Sequence, residues 1–147
     1  MTYEIMNSEH VEGVCKLHNE VAAEEIIFGV VPVTAEQIGA MLTPYCFVLK
    51  DRTEIVGFLL AELRHDSEFC VFPKGASYIE VHDLFIDKHY RSRGLGKTLL
   101  RHCEHEARNN GIQHMSLSSA TKNAEAIRRF YTDSDYTVWT THFFKNL

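Results

Sequence analysis

Apolar residues change period several times along this chain, and each change marks a new element. Tyr3 and Ile5 alternate with polar neighbours, as in a half-buried strand. Asn7 or Ser8 then caps a helix whose apolar face is Val11, Val14, Cys15, His18, Val21 and Ala22 at helical spacing. Thr34 with Gln37 three residues later is a capping-box pattern, and Ile38, Met41 and Leu42 form the inner face of a short helix that Pro44 ends. Two apolar runs, 46–49 and 55–63, flank the charged segment 50–54 and predict an antiparallel hairpin.

A polar loop around Pro73 and Gly75 leads into Tyr78-Ile79-Glu80-Val81-His82-Asp83-Leu84-Phe85-Ile86, a central strand with ionisable groups in its middle. Buried strands rarely keep such groups unless they are paired or used, so this stretch asks for a chemical explanation. Leu95, Leu99, Cys103 and Ala107 then repeat every four residues while Arg101, His102, His105 and Arg108 face away, predicting an amphipathic helix that stops before Gly111. A strand over 112–118, a helix over 124–132 with Ile127, Phe130 and Tyr131 inward, and strands at 136–139 and 143–144 complete the order. The expected fold is α/β (α+β): a mixed, mostly antiparallel sheet whose strand-helix-strand centre requires a parallel pair with a right-handed crossover.

Length and composition narrow the function. A chain of 147 residues with no linker, repeat or low-complexity segment reads as one domain, 1–147, so a site must lie in a cleft of that fold. A net charge of −5 argues against general nucleic-acid binding, which needs clustered Lys and Arg. With no leader-like start and no run long enough to cross a bilayer, a cytoplasmic protein without membrane contact is expected. Cys15, Cys46, Cys70 and Cys103 lack ligand spacing and read as reduced thiols filling the core. His102, Glu104, His105 and Glu106 lack a His-Glu-x-x-His arrangement and read as a solvated helix face, so no metal is assigned.

The segment Arg91-Ser92-Arg93-Gly94-Leu95-Gly96-Lys97-Thr98 sits between the central strand and the amphipathic helix. Glycines there let backbone N–H groups converge at a helix N-terminus, where the dipole favours a phosphate. Gly96-Lys97-Thr98 imitates a Walker A tail, but that motif needs glycine where Arg91 stands. A dinucleotide fingerprint starting at Gly94 would need a small residue at Leu99. What fits is the Gln/Arg-x-x-Gly-x-Gly/Ala pattern, matched by Arg91, Gly94 and Gly96, preceded by the strand end Leu84-Phe85-Ile86 and followed by Asn123 and Phe130-Tyr131. In these residues the chain resembles the Gcn5-related N-acetyltransferase (GNAT) superfamily, in element order throughout and most sharply from Tyr78 to Tyr136. It departs from the family in having Asp135-Tyr136 where Gly-Phe is usual, and in one extra residue between Asn123 and Tyr131.

The resemblance implies acetyl-CoA as cosubstrate and helices on both faces of a sheet split at the cofactor site. Backbone groups of Leu84, Phe85 and Ile86 would pair with the pantetheine arm. Amides of Ser92, Arg93, Gly94, Leu95, Gly96 and Lys97, with Arg91 and Thr98 beside them and Asn123 further on, would hold the rest. It also makes Tyr131 the acid near the thioester sulfur. Amine acetylation needs a deprotonated nucleophile, hence a base. Glu80 and His82 share strand parity with Leu84 and Ile86 and are the candidates, Glu80 ranked first, with Asp83 on the opposite face as a structural residue. An imidazole's ordinary pKa near ~6.5 suits a base at neutrality, whereas a glutamate needs burial to be raised.

The family acetylates small-molecule amines and protein amines, and a catalytically silent acyl-CoA-binding module would carry the same loop. Glu20, Glu24, Glu25, Glu36, Asp66 and Glu68 fall in segments expected to border the acceptor site, an acidic rim that points to a cationic small-molecule amine. The aromatic end around Phe143 and Phe144 would supply an edge strand for a homodimer.

Overall fold

The computed structural model describes residues 1–65 and 68–147, so Asp66 of the expected acidic rim lies outside the described residues. In chain order the elements are β1 (Thr2–Ile5), a single 3-10 turn (Ser8–His10), α1 (Val11–Ala23), α2 (Ala35–Ala40), β2 (Phe47–Asp51), β3 (Glu54–Arg64), β4 (Tyr78–Ile86), α3 (Leu95–Asn109), β5 (Met115–Leu117) and α4 (Ala124–Thr132). The five strands lie in the order β1-β2-β3-β4-β5. Neighbours are antiparallel except β4 and β5, which run parallel across the α3 crossover.

Local chemistry sets the boundaries. Asn7 accepts from the Glu9 amide in a capping box completed by His10, and Thr34 and Gln37 form the second box, as expected. Each such cap is worth about 1 kcal/mol. Helix α3 ends in a left-handed closure at Gly111, where φ is 74°. The Ile112 amide donates to Ala107 O at 2.9 Å and the Gly111 amide to Arg108 O at 3.0 Å. That closure takes up Ile112, so the strand expected over 112–118 shortens to Met115–Leu117.

Two apolar layers sandwich the sheet. Leu49, Val56, Leu59, Ala61, Ile79 and Val81 meet Leu99, Leu100, Cys103 and Ala107 of α3 on one face. On the other face Val48, Phe58 and Leu60 meet Val14, Leu17 and Val21 of α1 and Ile38 of α2. Leu17, not Val11, Cys15 or Ala22, completes the buried stripe of α1 together with Val14, His18 and Val21. Cys46 and Cys103 are buried as expected, but Cys70 is exposed, because its loop leaves the core.

The expected strands at 136–139 and 143–144 are absent. Tyr136 turns inward instead, its amide donating to Tyr131 O at 3.0 Å and its hydroxyl to Glu104 Oε1 at 3.1 Å. Beyond it the tail is held by side-chain stacking, Trp139 on Phe69 at 5.4 Å and Phe144 on Phe28 at 5.6 Å between centroids. Ring contacts impose no backbone ladder, so the edge strand on which a homodimer was expected to pair does not form.

Candidate active site

The sheet opens at one end. Pairing between β4 and β5 covers only Ile79, Glu80 and Val81 against Met115, Ser116 and Leu117. Strand β4 runs on to Ile86, still bonded to β3 through Leu84, Phe85 and Ile86, while β5 ends. One backbone edge of residues 84–86 is therefore left without a strand. A cleft of about 390 Å³ occupies the split, lined by residues 81–86, 26–30 and 117–121 with Val21, Arg91, Ile127 and Tyr131. Residues 26–28 cross its rim and pair with 120–122, the Phe28 amide on Ala120 O and the Lys122 amide on Ile26 O, both at 2.9 Å.

A bulge controls which side chains face the split. Asp83 pairs with Leu60 and Val81 with Ala61, so His82 has no partner across the strand and the alternation slips by one. Leu84 and Ile86 consequently join Ile79 and Val81 on the α3 face, whereas Phe85 packs on the α1 face. This corrects the parity expected for Glu80 and His82, which do not share a face with Leu84 and Ile86. No pattern in the sequence marks a bulge here, and the slip also brings Asp83 into the cleft, where a structural role had been expected. Burial raises the Asp83 carboxyl above its ordinary range, opposed by the nearby His18 and His82.

His82 lines the cleft and Glu80 does not. Glu80 Oε2 accepts from Arg64 Nε at 2.9 Å, and the same nitrogen lies 3.1 Å from Glu62 Oε1. His82 Nε2 donates to Glu62 Oε1 at 2.8 Å. A carboxylate only accepts, so this bond places the ring proton on Nε2 and leaves the Nδ1 lone pair open. Ligand atoms of Glu62, Glu80 and His82 lie within 4.8 Å of one another, a spacing a metal ion would fit, but Arg64 already supplies positive charge between the two carboxylates. Glu62, absent from the sequence reading, is recoverable from it only through the β3–β4 register, which pairs it with Glu80.

The loop before α3 has the form its glycines demand. Ser92 and Gly94 adopt left-handed φ of 62° and 76°, and Gly94 is the N-cap of α3 with no side-chain cap, leaving first-turn N–H groups free. A Cβ on Gly96 would meet the Phe130 ring at 3.3 Å, so α3 and α4 approach closely there. Arg91 does not point freely to this loop. Its Nε donates to Ile86 O at 2.8 Å, and its two terminal nitrogens donate to Glu24 at 2.7 Å each, tying the end of α1 to the loop. Arg93 donates to His89 O and Lys97 to Asp133 O. Leu95 and Thr98 sit in the first turn of α3. Asn123 caps α4, its Oδ1 accepting from the Ala126 amide at 3.1 Å.

Tyr131 reaches the cleft from α4, and burial holds its hydroxyl up at about 12. The expected acidic rim is not gathered around the cleft. Glu24 is paired with Arg91, Glu20 lies 3.8 Å from Lys16, and none of Glu20, Glu24, Glu25, Glu36 and Glu68 lines it.

A sequence model of the acetyltransferase (GNAT) family matches residues 16–134. No curated protein matches the chain in sequence. Solved structures share the fold at low identity. A mutant of the BH1408 protein from Bacillus halodurans has a TM-score of 0.82 and 17% identity, covering 100% of this chain and 99% of that one. An aminoglycoside acetyltransferase, meta-AAC0020, from an uncultured soil metagenomic sample in complex with sisomicin has a TM-score of 0.72 and 16% identity, with 99% and 95% covered. Aminoglycoside N-acetyltransferase AAC(6')-Iy in complex with the bisubstrate analogue CoA-S-monomethyl-acetylneamine has a TM-score of 0.75 and 17% identity, with 99% and 97% covered.

Proposed function

The chain belongs to the GNAT acetyltransferase family, and from that premise we propose that it transfers the acetyl group of acetyl-CoA to a primary amine of a small molecule that arrives as an ammonium cation. The observation that carries this reading is the unpaired edge of β4 at Leu84–Ile86. It opens on a cleft that also holds a histidine with a free ring nitrogen and a protonated tyrosine. No helix among the described residues is long and apolar enough to cross a membrane.

The edge of β4 that faces away from β3 at residues 84–86, apart from the Ile86 carbonyl that Arg91 already occupies, offers the pantetheine arm the pairing of an added strand. The uncapped N-terminus of α3 and the left-handed turn at Gly94 offer the pyrophosphate convergent N–H donors. A β4 amide near Leu84 stabilises the carbonyl oxygen as charge develops on it. Acetyl-CoA brings the acetyl group as a thioester. His82 Nδ1 takes the proton that the attacking ammonium must shed, with Glu62 holding the ring. The nitrogen bonds to the carbonyl carbon and the carbon–sulfur bond breaks, Tyr131 giving its proton to the departing thiolate and regaining one from the nitrogen, which sheds its second proton as it becomes the amide. Glu80, bonded to Arg64 and away from the cleft wall, acts on His82 only through that shared network.

A free-thiol release assay with acetyl-CoA against a panel of amines tests the reading. Wild-type turnover that falls at least tenfold in His82→Ala supports it. Acetyl-CoA binding with no thiol release from any small amine or protein amine leaves an acyl-CoA-binding module instead.

A further inference from the structure

The cleft at the split of the sheet is lined by residues from both apolar layers, and the two sides differ in what they present. On the α3 side lie Leu84, Ile86, Leu117 and Tyr131, next to the loop that precedes α3. On the α1 side the wall is Val21, Ile26, Ile27, Phe28 and Val30, with Asp83 and His82 at its floor. Phe28 is 50% exposed and Ile26 39%, although both border the cleft. Exposed apolar side chains on a concave wall are surface that a ligand covers.

Charge on this side is sparse. Asp83 is the one carboxylate lining the cleft among the described residues. Glu20 and Glu25 directly precede Val21 and Ile26 but do not line the cleft, and Glu24 is occupied by Arg91 with two bonds of 2.7 Å. Lys122 sits at the rim with its Nζ 5.4 Å from the Phe28 ring centroid. A polyamine or an aminoglycoside carries further ammonium groups, which would meet apolar wall and then a lysine. One ammonium finds one carboxylate, and the rest of the molecule finds carbon.

We propose that the acceptor is a monoamine whose amino group is carried on an apolar body of aromatic size, with Phe28 as its principal contact. This rests on the acetyltransferase reading above and names the acceptor class of the same site. Phe28 determines specificity through its ring face, one edge of which is already braced by Phe144 at 5.6 Å.

The test compares kcat/KM for phenethylamine, spermidine and ethylamine in the wild type, Phe28→Ala and Phe28→Glu. Phenethylamine should exceed spermidine at least tenfold in the wild type. Phe28→Ala should lower the phenethylamine value at least fivefold and by a clearly larger factor than the ethylamine value, and Phe28→Glu should move the preference toward spermidine. The half-exposed position keeps both variants folded, which circular dichroism checks. Faster turnover of spermidine than phenethylamine in the wild type, or an unchanged phenethylamine value in Phe28→Ala, overturns the proposal without touching the acetyltransferase reading. Calorimetry on the CoA-bound protein gives a readout independent of turnover. If no amine is acetylated, tighter binding of phenethylamine than of spermidine that is lost in Phe28→Ala supports this acceptor site and sinks the catalytic reading, whereas no difference between the two amines overturns the site as well.

Discussion

The two ends of strand β4 are built on opposite terms. At its start, Ile79 and Val81 are buried between β3 and β5, against a centre in which Val48, Leu49, Phe58, Leu59 and Leu60 are completely inaccessible. From His82 to Ile86 no residue of the same strand is fully buried, one backbone edge is bare, and the helix that approaches it, α4, buries no residue completely. Hydrophobic burial and two-sided pairing place the stability in the first region. The second has neither, and it carries His82, Asp83 and the strand's open backbone edge. Local opening follows the same division, because segments with few buried contacts open at low free-energy cost. A ligand that pairs with β4 completes a sheet whose closed half already holds it in register.

The largest effect expected from this contrast is on folding. Phe58→Ala removes a wholly buried ring between His18 and Phe85 and should cost about 3–5 kcal/mol in urea unfolding. Leu84→Ala, at the half-exposed end, should cost about a third as much or less. Equal losses would show that the split end bears as much of the fold as the closed centre. The next effect is on the cofactor. Gly94 stands at φ 76° with open space around its Cβ position, so Gly94→Val meets no neighbour but must adopt a conformation that a β-branched residue resists. Acetyl-CoA affinity by calorimetry should fall about tenfold or more while the urea midpoint moves little, since the strained loop lies outside the closed half. An unchanged affinity would detach the loop from the site.

A third effect separates chemistry from packing at Tyr131. Its hydroxyl is held at about 12 by burial, so it stays protonated through the usable range. Tyr131→Phe should lower kcat about fivefold to tenfold and leave KM for acetyl-CoA near its original value. The alkaline limb between pH 8 and 10 should not move, because Tyr131 does not titrate there. A shift of that limb would assign it to this phenol and contradict the burial that raises it. An unchanged kcat would return Tyr131 to the core layer against which it packs.

Periodicity reads the closed half well and the open half poorly, for physical reasons. The stripe of α3 and the continuous apolar run of β3 answer to burial, and the Thr34–Gln37 capping box is local chemistry between residues three apart, so the elements through α4 are legible in order. The loop from Arg91 to Thr98 is legible because glycine at a left-handed position and a helix start leave a mark in sequence. The bulge at His82 is not, since it is a mismatch between two strands rather than a property of either, and every expectation built on parity past it shifts by one residue. That is why Glu80 and His82 do not share the face of Leu84 and Ile86, while Glu62 is legible only through the β3–β4 register that sets it opposite Glu80. The tail fails differently. Tyr136, Trp139 and Phe144 have strand-forming side chains, but here each stacks or hydrogen-bonds to a separate partner, and residues 136–147 form no strand.

The smallest effect expected is also the one that tests the bulge, through the residue it turns into the cleft. Burial raises the Asp83 carboxyl in the folded protein, with His18 on α1 and His82 on β4 opposing the rise. A raised carboxyl binds its proton more tightly folded than unfolded. Its contribution to stability is therefore fully present below the ordinary carboxylate range and is lost as pH climbs through the folded value, so at neutrality the ionised group costs stability. Asp83→Asn removes that cost without changing shape much. The variant should melt slightly above the wild type near pH 7, and the difference should close as pH falls below about 4, where the wild-type carboxyl is protonated in both states. The gain stays small because His18 and His82 offset part of the burial. A variant that melts lower at pH 7 would mean that the carboxylate is held by its histidines more strongly than burial opposes it. Asp83 would then be a fixed part of the fold rather than a group kept open for an incoming ammonium. Turnover reads the same residue from the other side: Asp83→Asn should raise KM for the amine and leave KM for acetyl-CoA alone, because Asp83 shares the α1 face with Leu60 while the loop proposed to hold the cofactor's pyrophosphate precedes α3.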